Sequence, residues 1–381
     1  MYAVAFARRA ERLAPALPSA ATGAIGFDSG HAFPGVLPDL TREAEIALSR
    51  YRAETLQYAP RAGLPELRAW IAGYMNAGVT ADHVLVTNGA KHALELVCRL
   101  LLDEGDSVVV TAPTYFSAIP IIKSFGATFV EVPQDASGLD VAALASLLGR
   151  LPRPPKFIYN VPDYHNPTGL SMPLERRQAL IDLAERHNIV VVEDSPYREV
   201  RFEGEPVPSL KSLGGNRVIL LGTFAKLMAP GLRVGWASAP PPLIARMAQL
   251  KTDAGSCPLT QRIILEFLSG GRLPAHIASV QAAYRSNRDQ MVAALSRELP
   301  EASFVLPHGG YYIWATLGDN VDGDAVAACA AANGVTIIPG SKFFANPGPK
   351  HHVRLAFSHA THAEIDDGVH RVAEAVSAAH T

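Results

Sequence analysis

From residue 83 to about residue 237, short continuous apolar runs alternate with stretches of helical period. His83-Val84-Leu85-Val86, Ser107-Val108-Val109-Val110, Ile189-Val190-Val191-Val192 and Val218-Ile219-Leu220-Leu221 read as strands buried on both faces. Phe157-Ile158-Tyr159-Asn160-Val161 and residues 127–131 read the same way. Between them, residues 90–102, 117–125, 140–149 and 173–187 carry the period of helices. Parallel neighbours need a crossover, so this alternation predicts an α/β fold with a mainly parallel, helix-covered sheet. Segments 239–253 and 259–270 read as further helices, and 274–299 as a helix long enough to bridge two domains. Beyond it, Tyr311-Tyr312-Ile313-Trp314, Val335-Thr336-Ile337-Ile338 and Val353-Arg354-Leu355-Ala356 read as strands, with helices near 324–333 and over 361–379. The expected organisation is a large domain over 41–275 and a smaller α+β domain made of 1–40 and 276–381. Gly309-Gly310 and Pro339-Gly340-Ser341 mark loops that could border a substrate.

Composition narrows the function classes. The chain has 381 residues, long enough for one large and one small core, and 48% of them are hydrophobic. Its 34 basic and 36 acidic residues leave a formal charge of −2, with no basic block to attract nucleic acid. No run nears the roughly 18 apolar residues that span a bilayer, and the N-terminus lacks a signal-peptide core. Cys98, Cys257 and Cys329 are sparse and widely spaced, which fits a reducing cytoplasm and argues against disulfides or zinc. The thirteen histidines form no metal-ligand spacing, so no metal is expected.

The chemistry sits where the apolar runs end. In an open α/β sheet, ligands bind beyond the carboxyl ends of the strands. Lys226 lies in GTFAKLMAPGLRVGW, just past Val218–Leu221, with Arg233 seven residues on. A lysine amine can form a Schiff base with an aldehyde, and an arginine grips a phosphate with two hydrogen bonds. Pyridoxal 5′-phosphate (PLP) presents both groups. Most lysines are solvated surface charges, so this segment does not decide alone. Four other strand-end loops supply what PLP still needs. Asp194, in EDSPY, can hold a pyridine nitrogen protonated, and Tyr197 can donate its phenol to a ring oxygen. Asn166, in YHNPTG, precedes a proline and is pushed toward extended geometry, with its amide free for the same oxygen. Gly89, in TNGAKHALELV, opens a helix at Ala90 and Lys91, where free N–H groups suit a phosphate. Tyr115, in TAPTYFS, can stack on a planar ring.

With these motifs the chain resembles the fold-type I PLP enzymes, and among them the class I/II aminotransferases of the 2-aminoadipate, kynurenine and aromatic branch. The resemblance runs from about residue 25 to about residue 375. It implies a seven-stranded, mainly parallel sheet in the large domain and a homodimer with shared active sites. It implies Lys226 as the Schiff-base lysine, Asp194 as the pyridinium partner, and Tyr197 and Asn166 on the ring oxygen. Tyr115 is then the stacking ring, and Gly89, Ala90, Lys91, Thr223 and Arg233 hold the phosphate. Tyr58, in LQYAPRAGLPELR, matches a tyrosine reaching the neighbouring subunit's phosphate. Arg354 matches the arginine that pairs with the substrate α-carboxylate, and Gly30, in DSGHAFP, a backbone contact to substrate.

Two positions depart from the pattern. Ala225 stands where the family usually has serine, and Lys91 where it often has glutamine. The first loses a hydroxyl near the phosphate. The second keeps its backbone N–H, and its ammonium either joins the phosphate site or sits on the helix surface. The expected activity is transfer of an amino group between an L-amino acid and a 2-oxo acid, with 2-oxoglutarate and glutamate as one pair, by ping-pong kinetics. A PLP-dependent lyase, cyclase or decarboxylase is the alternative on the same scaffold. A regulator's sensor domain would need a DNA-binding unit that the roughly forty N-terminal residues do not supply. Arg8, Arg9 or Arg12 could meet an acidic substrate side chain, although solvated arginines account for them equally well.

Overall fold

The computed structural model describes residues 5–12 and 23–379. Its main element is an eight-stranded sheet. In spatial order the strands are Val84–Thr87, Gly235–Ser238, Val218–Thr223, Val190–Asp194, Phe157–Asn160, Ser107–Ala112, Thr128–Asp135 and Gly138–Leu139. The five from Val218–Thr223 to Thr128–Asp135 are parallel. Gly235–Ser238 runs antiparallel to both its neighbours. The expected seven strands are thus present, and the eighth is a two-residue edge strand returned by a tight turn at Ser137. That edge was invisible in the sequence because two residues carry no period.

Alternate residues of each strand feed opposite cores, as the pleat requires. Val108, Val110, Val192 and Ile219 pack with Leu94 and Val97 of helix Ala90–Leu101 and Met247 of helix Pro241–Leu250. Val109, Ile158, Val191 and Val218 face the other way, onto Leu144, Leu180 and Ile181 of helices Val141–Leu148 and Leu174–Arg186. Burial on both faces explains why these strands are written in valine, isoleucine and leucine without alternation.

A second sheet has the order Ser303–Phe304, Tyr312–Thr316, His352–Ala356, Ile338–Pro339, all antiparallel. The N-terminal strand Ile25–Gly26 pairs with Val335–Thr336, and Phe27 O accepts from Ala356 N at 2.8 Å, so this segment joins the smaller sheet. Helix Leu273–Glu298 bridges the two sheets. Near its start His276 Nε2 meets Leu227 O at 2.8 Å, and further along Asn287 Nδ2 donates to Phe357 O at 3.0 Å. Among the described residues no helix is long and apolar enough to cross a membrane.

Candidate active site

A cavity of about 480 Å³ opens at the carboxyl ends of the parallel strands. Gly30, Gly89, Ala90, Lys91, Tyr115, Asn166, Asp194, Tyr197, Thr223, Lys226, Arg233 and Arg354 all line it. Tyr58 does not: it follows helix Arg52–Thr55 and is 82% exposed. Arg8, Arg9 and Arg12 stand on a different surface, where Arg12 pairs with Glu104. They take no part in this cavity.

One wall comes from the large sheet. Gly89 has φ +88°, a conformation that strains any side chain, and a Cβ there would stand 2.9 Å from Arg233 Nη2. Arg233 is fixed by Asn88 O at 3.1 Å and Pro230 O at 3.3 Å. At Gly235 a Cβ would stand 2.8 Å from Ala90 N, so only glycine lets the helix start lie on that strand. The first N–H groups of helix Ala90–Leu101 lack intrahelical partners and make an anion cradle. Thr223 Oγ1 accepts from Ala225 N at 3.1 Å beside it. Lys91 lies at the same corner with its outer side exposed, and burial in the cleft, then Arg233, lowers its proton affinity.

Asp194 is the last residue of its strand and is buried. Tyr159, on the adjacent parallel strand, donates to Asp194 Oδ2 at 2.7 Å. Asp194 Oδ1 is buried without a partner. Burial pushes this carboxyl up to about 6, against the opposing effect of the Tyr159 hydrogen bond. Lys226 Nζ donates to Gly30 O at 2.6 Å and lies 5.0 Å from the centre of the Tyr311 ring. Tyr311 Oη in turn donates to Lys226 O at 2.8 Å. Burial drives the lysine's proton affinity down, and Arg354, Lys91 and Arg233 add to it.

The other wall comes from the small sheet and the N-terminal segment. Arg354 is 1% exposed. Its Nη1 donates to Asn166 Oδ1 at 3.2 Å and its Nη2 to Asp28 O, while Nε has no partner. The rings of Tyr312, Phe343 and Phe116 surround the guanidinium at 4.1, 5.2 and 5.4 Å. Among the described residues no carboxylate pairs with it. A buried cation without a counter-ion is costly. Among the described residues, Arg354 is thus a buried cation open to an anionic partner from the cavity. Asn166 Nδ2 also lies 3.5 Å from Tyr197 Oη on the large-sheet side, so through Asn166 the YHNPTG loop links Arg354 to the first wall.

Reading the sequence missed Tyr159 and Tyr312. Tyr159 was hidden because its partner is set by the register that places it beside Val192, two residues before Asp194. For Tyr312 the only signal was its place after Gly309-Gly310.

A model of the family Aminotransferase class I and II matches residues 22–372. The chain belongs to the class I and II aminotransferases. As such it is a PLP-dependent transaminase. It is 35% identical over 363 residues to a 2-aminoadipate transaminase of Thermus thermophilus, covering 93% of this chain and 90% of the relative. It is 34% identical to an aromatic-amino-acid aminotransferase of Thermococcus litoralis, covering 92% and 86%. The crystal structure of an alpha-aminoadipate aminotransferase from Thermus thermophilus, complexed with N-(5′-phosphopyridoxyl)-L-leucine, superposes with TM-score 0.91. That pair shares 33% identity over 98% of this chain and 97% of the other. The residues of this aminotransferase fit PLP. Asp194 Oδ1 is an orphaned buried acceptor suited to a ring N–H. The Gly89–Gly235 cradle faces Arg233, and Lys226 is an amine that meets no carboxylate among the described residues.

Proposed function

We propose that this aminotransferase moves the amino group of an L-amino acid to 2-oxoglutarate, in two half-reactions at this one cavity. The observation that carries the reading is the convergence in one cavity of two buried atoms without partners, Asp194 Oδ1 and Arg354 Nε, with the Lys226 amine, whose hydrogen bond goes to a backbone carbonyl. Bound PLP supplies an aldehyde for the amino group and a ring that draws electrons from the substrate's α-carbon. The chain's own residues do the rest. Lys226 would bear the cofactor and, once free, would take the proton from the substrate's α-carbon and deliver it, on the same face, to the carbon that had been the cofactor's aldehyde. Asp194, ionised, keeps a proton on the ring nitrogen. Tyr197 and Asn166 orient the ring oxygen, and Tyr115 stacks on the ring. Gly89, Ala90 and Lys91, by backbone N–H, hold the phosphate with Thr223 and Arg233. Arg354 takes the α-carboxylate, and Gly30 orders the same end through its backbone.

Leu94, Phe116 and Ile338 contribute apolar surface to the lining, which supports donors with aromatic or aliphatic side chains. The relatives described above are named for amino-group transfer, and nothing favours a lyase, cyclase or decarboxylase. The reading includes a homodimer, in which exposed Tyr58 reaches the neighbouring subunit's phosphate. It also includes the division into 41–275 and 1–40 with 276–381, supported by helix Thr41–Ser49 packing on helix Pro258–Ser269. The three cysteines are unpaired, which supports a cytoplasmic location. The test is a panel of amino donors with 2-oxoglutarate, scored by glutamate formed. Donors that lose carbon dioxide or a β-substituent without forming glutamate would overturn it.

A further inference from the structure

Strand Tyr312–Thr316 delivers Tyr312 into the cavity from the small-sheet side, facing the loop that holds Lys226. The residue is 4% exposed. Its oxygen accepts a hydrogen bond from Tyr197 Oη at 3.3 Å, and its ring lies against Arg354. A Cβ on Gly30 would stand 2.3 Å from Tyr312 Oη and 2.9 Å from Lys226 Nζ. Phenol and amine therefore converge on one point, which the bare glycine leaves open. A phenol oxygen has room for a second donor beside Tyr197.

The need for such an acceptor follows from the charges around Lys226. Protonating that lysine in the cleft is opposed by burial and by Arg354, Lys91 and Arg233, and Tyr312 is the group that works in its favour. The titratable groups facing Tyr312 are Lys226, Arg354, Tyr197, Lys91, Tyr115 and Tyr311. Burial resists its ionisation, but Lys226, Arg354, the Tyr197 hydrogen bond and Lys91 outweigh burial, so its oxygen carries negative character readily. Tyr197 shows the opposite tendency, pushed up by burial and by Tyr312, and keeps its proton; with the cofactor bound that proton is given to the ring oxygen, and Tyr312 Oη is left to accept from Lys226.

We propose that Tyr312 is a positioning residue that holds the proton on Lys226 during amino transfer. In the step concerned, the substrate's α-C–H bond breaks, its electron pair stays with the substrate, and an N–H bond forms on Lys226. The amine becomes an ammonium, and Tyr312 Oη accepts from it until the proton is handed back. The proposal rests on the assignment of Lys226 as the cofactor-bearing amine.

Tyr312→Phe keeps the ring against Arg354 and removes only the oxygen. In the holoenzyme, the pH midpoint of the bound cofactor's visible absorbance, which reports protonation of the nitrogen on Lys226, should fall by roughly one unit. At neutral pH, kcat should drop about tenfold or more, with KM for the amino donor unchanged. The isotope effect with α-deuterated donor should grow, because proton removal becomes slower. A midpoint that stays in place, with or without a loss of kcat, overturns the proposal, since a merely structural tyrosine would leave it there. A shifted midpoint with intact kcat overturns the role in transfer. Borohydride reduction and peptide mapping of the wild type test the underlying assignment separately: a link at any residue other than Lys226 defeats that assignment first.

Discussion

The two walls of the cavity are built differently. The large-sheet wall comes from successive strand-end loops between Gly89 and Arg233, and each group there is set by a strand fixed between two cores. The small-sheet wall collects Asp28, Gly30, Tyr312, Ile338 and Arg354 from segments more than 300 residues apart. It meets the first through a few hydrogen bonds: Lys226 to Gly30, Tyr311 to Lys226, Tyr197 to Tyr312, and Arg354 to Asn166. The first wall carries the groups suited to a resident cofactor, and the second carries Arg354, the group suited to a substrate carboxylate. Substitutions on the first wall should therefore act on chemistry and cofactor, and those on the second on substrate recognition.

The largest expected effect is at the junction. On the proposed assignment Lys226→Ala would remove both the cofactor link and the proton carrier, so turnover should fall by about 10³-fold or more, and the borohydride-reducible link should vanish. Wild-type turnover in this variant would break the comparison at its root.

Asp194→Ala should lower kcat about 10²- to 10³-fold while PLP content stays near one per chain, because the ring nitrogen loses its counter-charge. The same residue has a pH signature in the cofactor-free protein. Its folded carboxyl titrates at about 6 rather than 3.8, with burial as the main cause. The folded state therefore binds more protons than the unfolded one between pH 4 and 6. Stability must fall as pH rises through that window, by on the order of 2–3 kcal/mol for this group. Thermal unfolding of the cofactor-free protein should show this fall, and Asp194→Asn should remove the Asp194 share, leaving the fall that buried Glu193, pushed up to about 7, contributes. An equal pH dependence in wild type and Asp194→Asn would contradict the assignment.

Arg354→Lys tests the second wall. A lysine cannot reproduce two parallel hydrogen bonds to a carboxylate. KM for both amino acid and oxo acid should rise about 10- to 100-fold, with cofactor content and the visible spectrum unchanged. If KM is unmoved while the protein merely becomes less stable, Arg354 belongs to the scaffold and the division of labour between the walls is wrong.

The smallest effect is expected at Tyr58→Phe, which should weaken PLP affinity by about tenfold and leave the substrate KM alone. Sedimentation should give the mass of two chains. An active monomer at micromolar concentration would remove Tyr58 from the site altogether.

Most of the first wall was legible from sequence alone. Lys226, Asp194, Asn166, Gly89 and Tyr115 each follow a continuous apolar run, and a parallel sheet brings the ends of such runs to one edge. The physics is local: a strand buried on both faces announces itself by composition, and the loop after it has nowhere else to go. The sheet's strands start and stop within a few residues of expectation for the same reason. Arg354 and Gly30 were reached only through family resemblance, since nothing local in VRLAF or DSGHA says that they meet.

What the tertiary structure decided is everything that depends on register and on contact between distant segments. Tyr159 finds Asp194 because neighbouring strands align Tyr159 with Val192. Arg354 is left without a counter-ion because three aromatic rings, Asn166 and a backbone carbonyl fill its surroundings. Tyr312 Oη and Lys226 Nζ can both approach Gly30 because that residue carries no side chain. The chain's own pattern determined the α/β sheet and the edge at which chemistry occurs, because hydrophobic burial is written residue by residue along a strand. It could not determine the charges left unpaired in the cavity, because a pairing exists only once two segments far apart in sequence have been packed together.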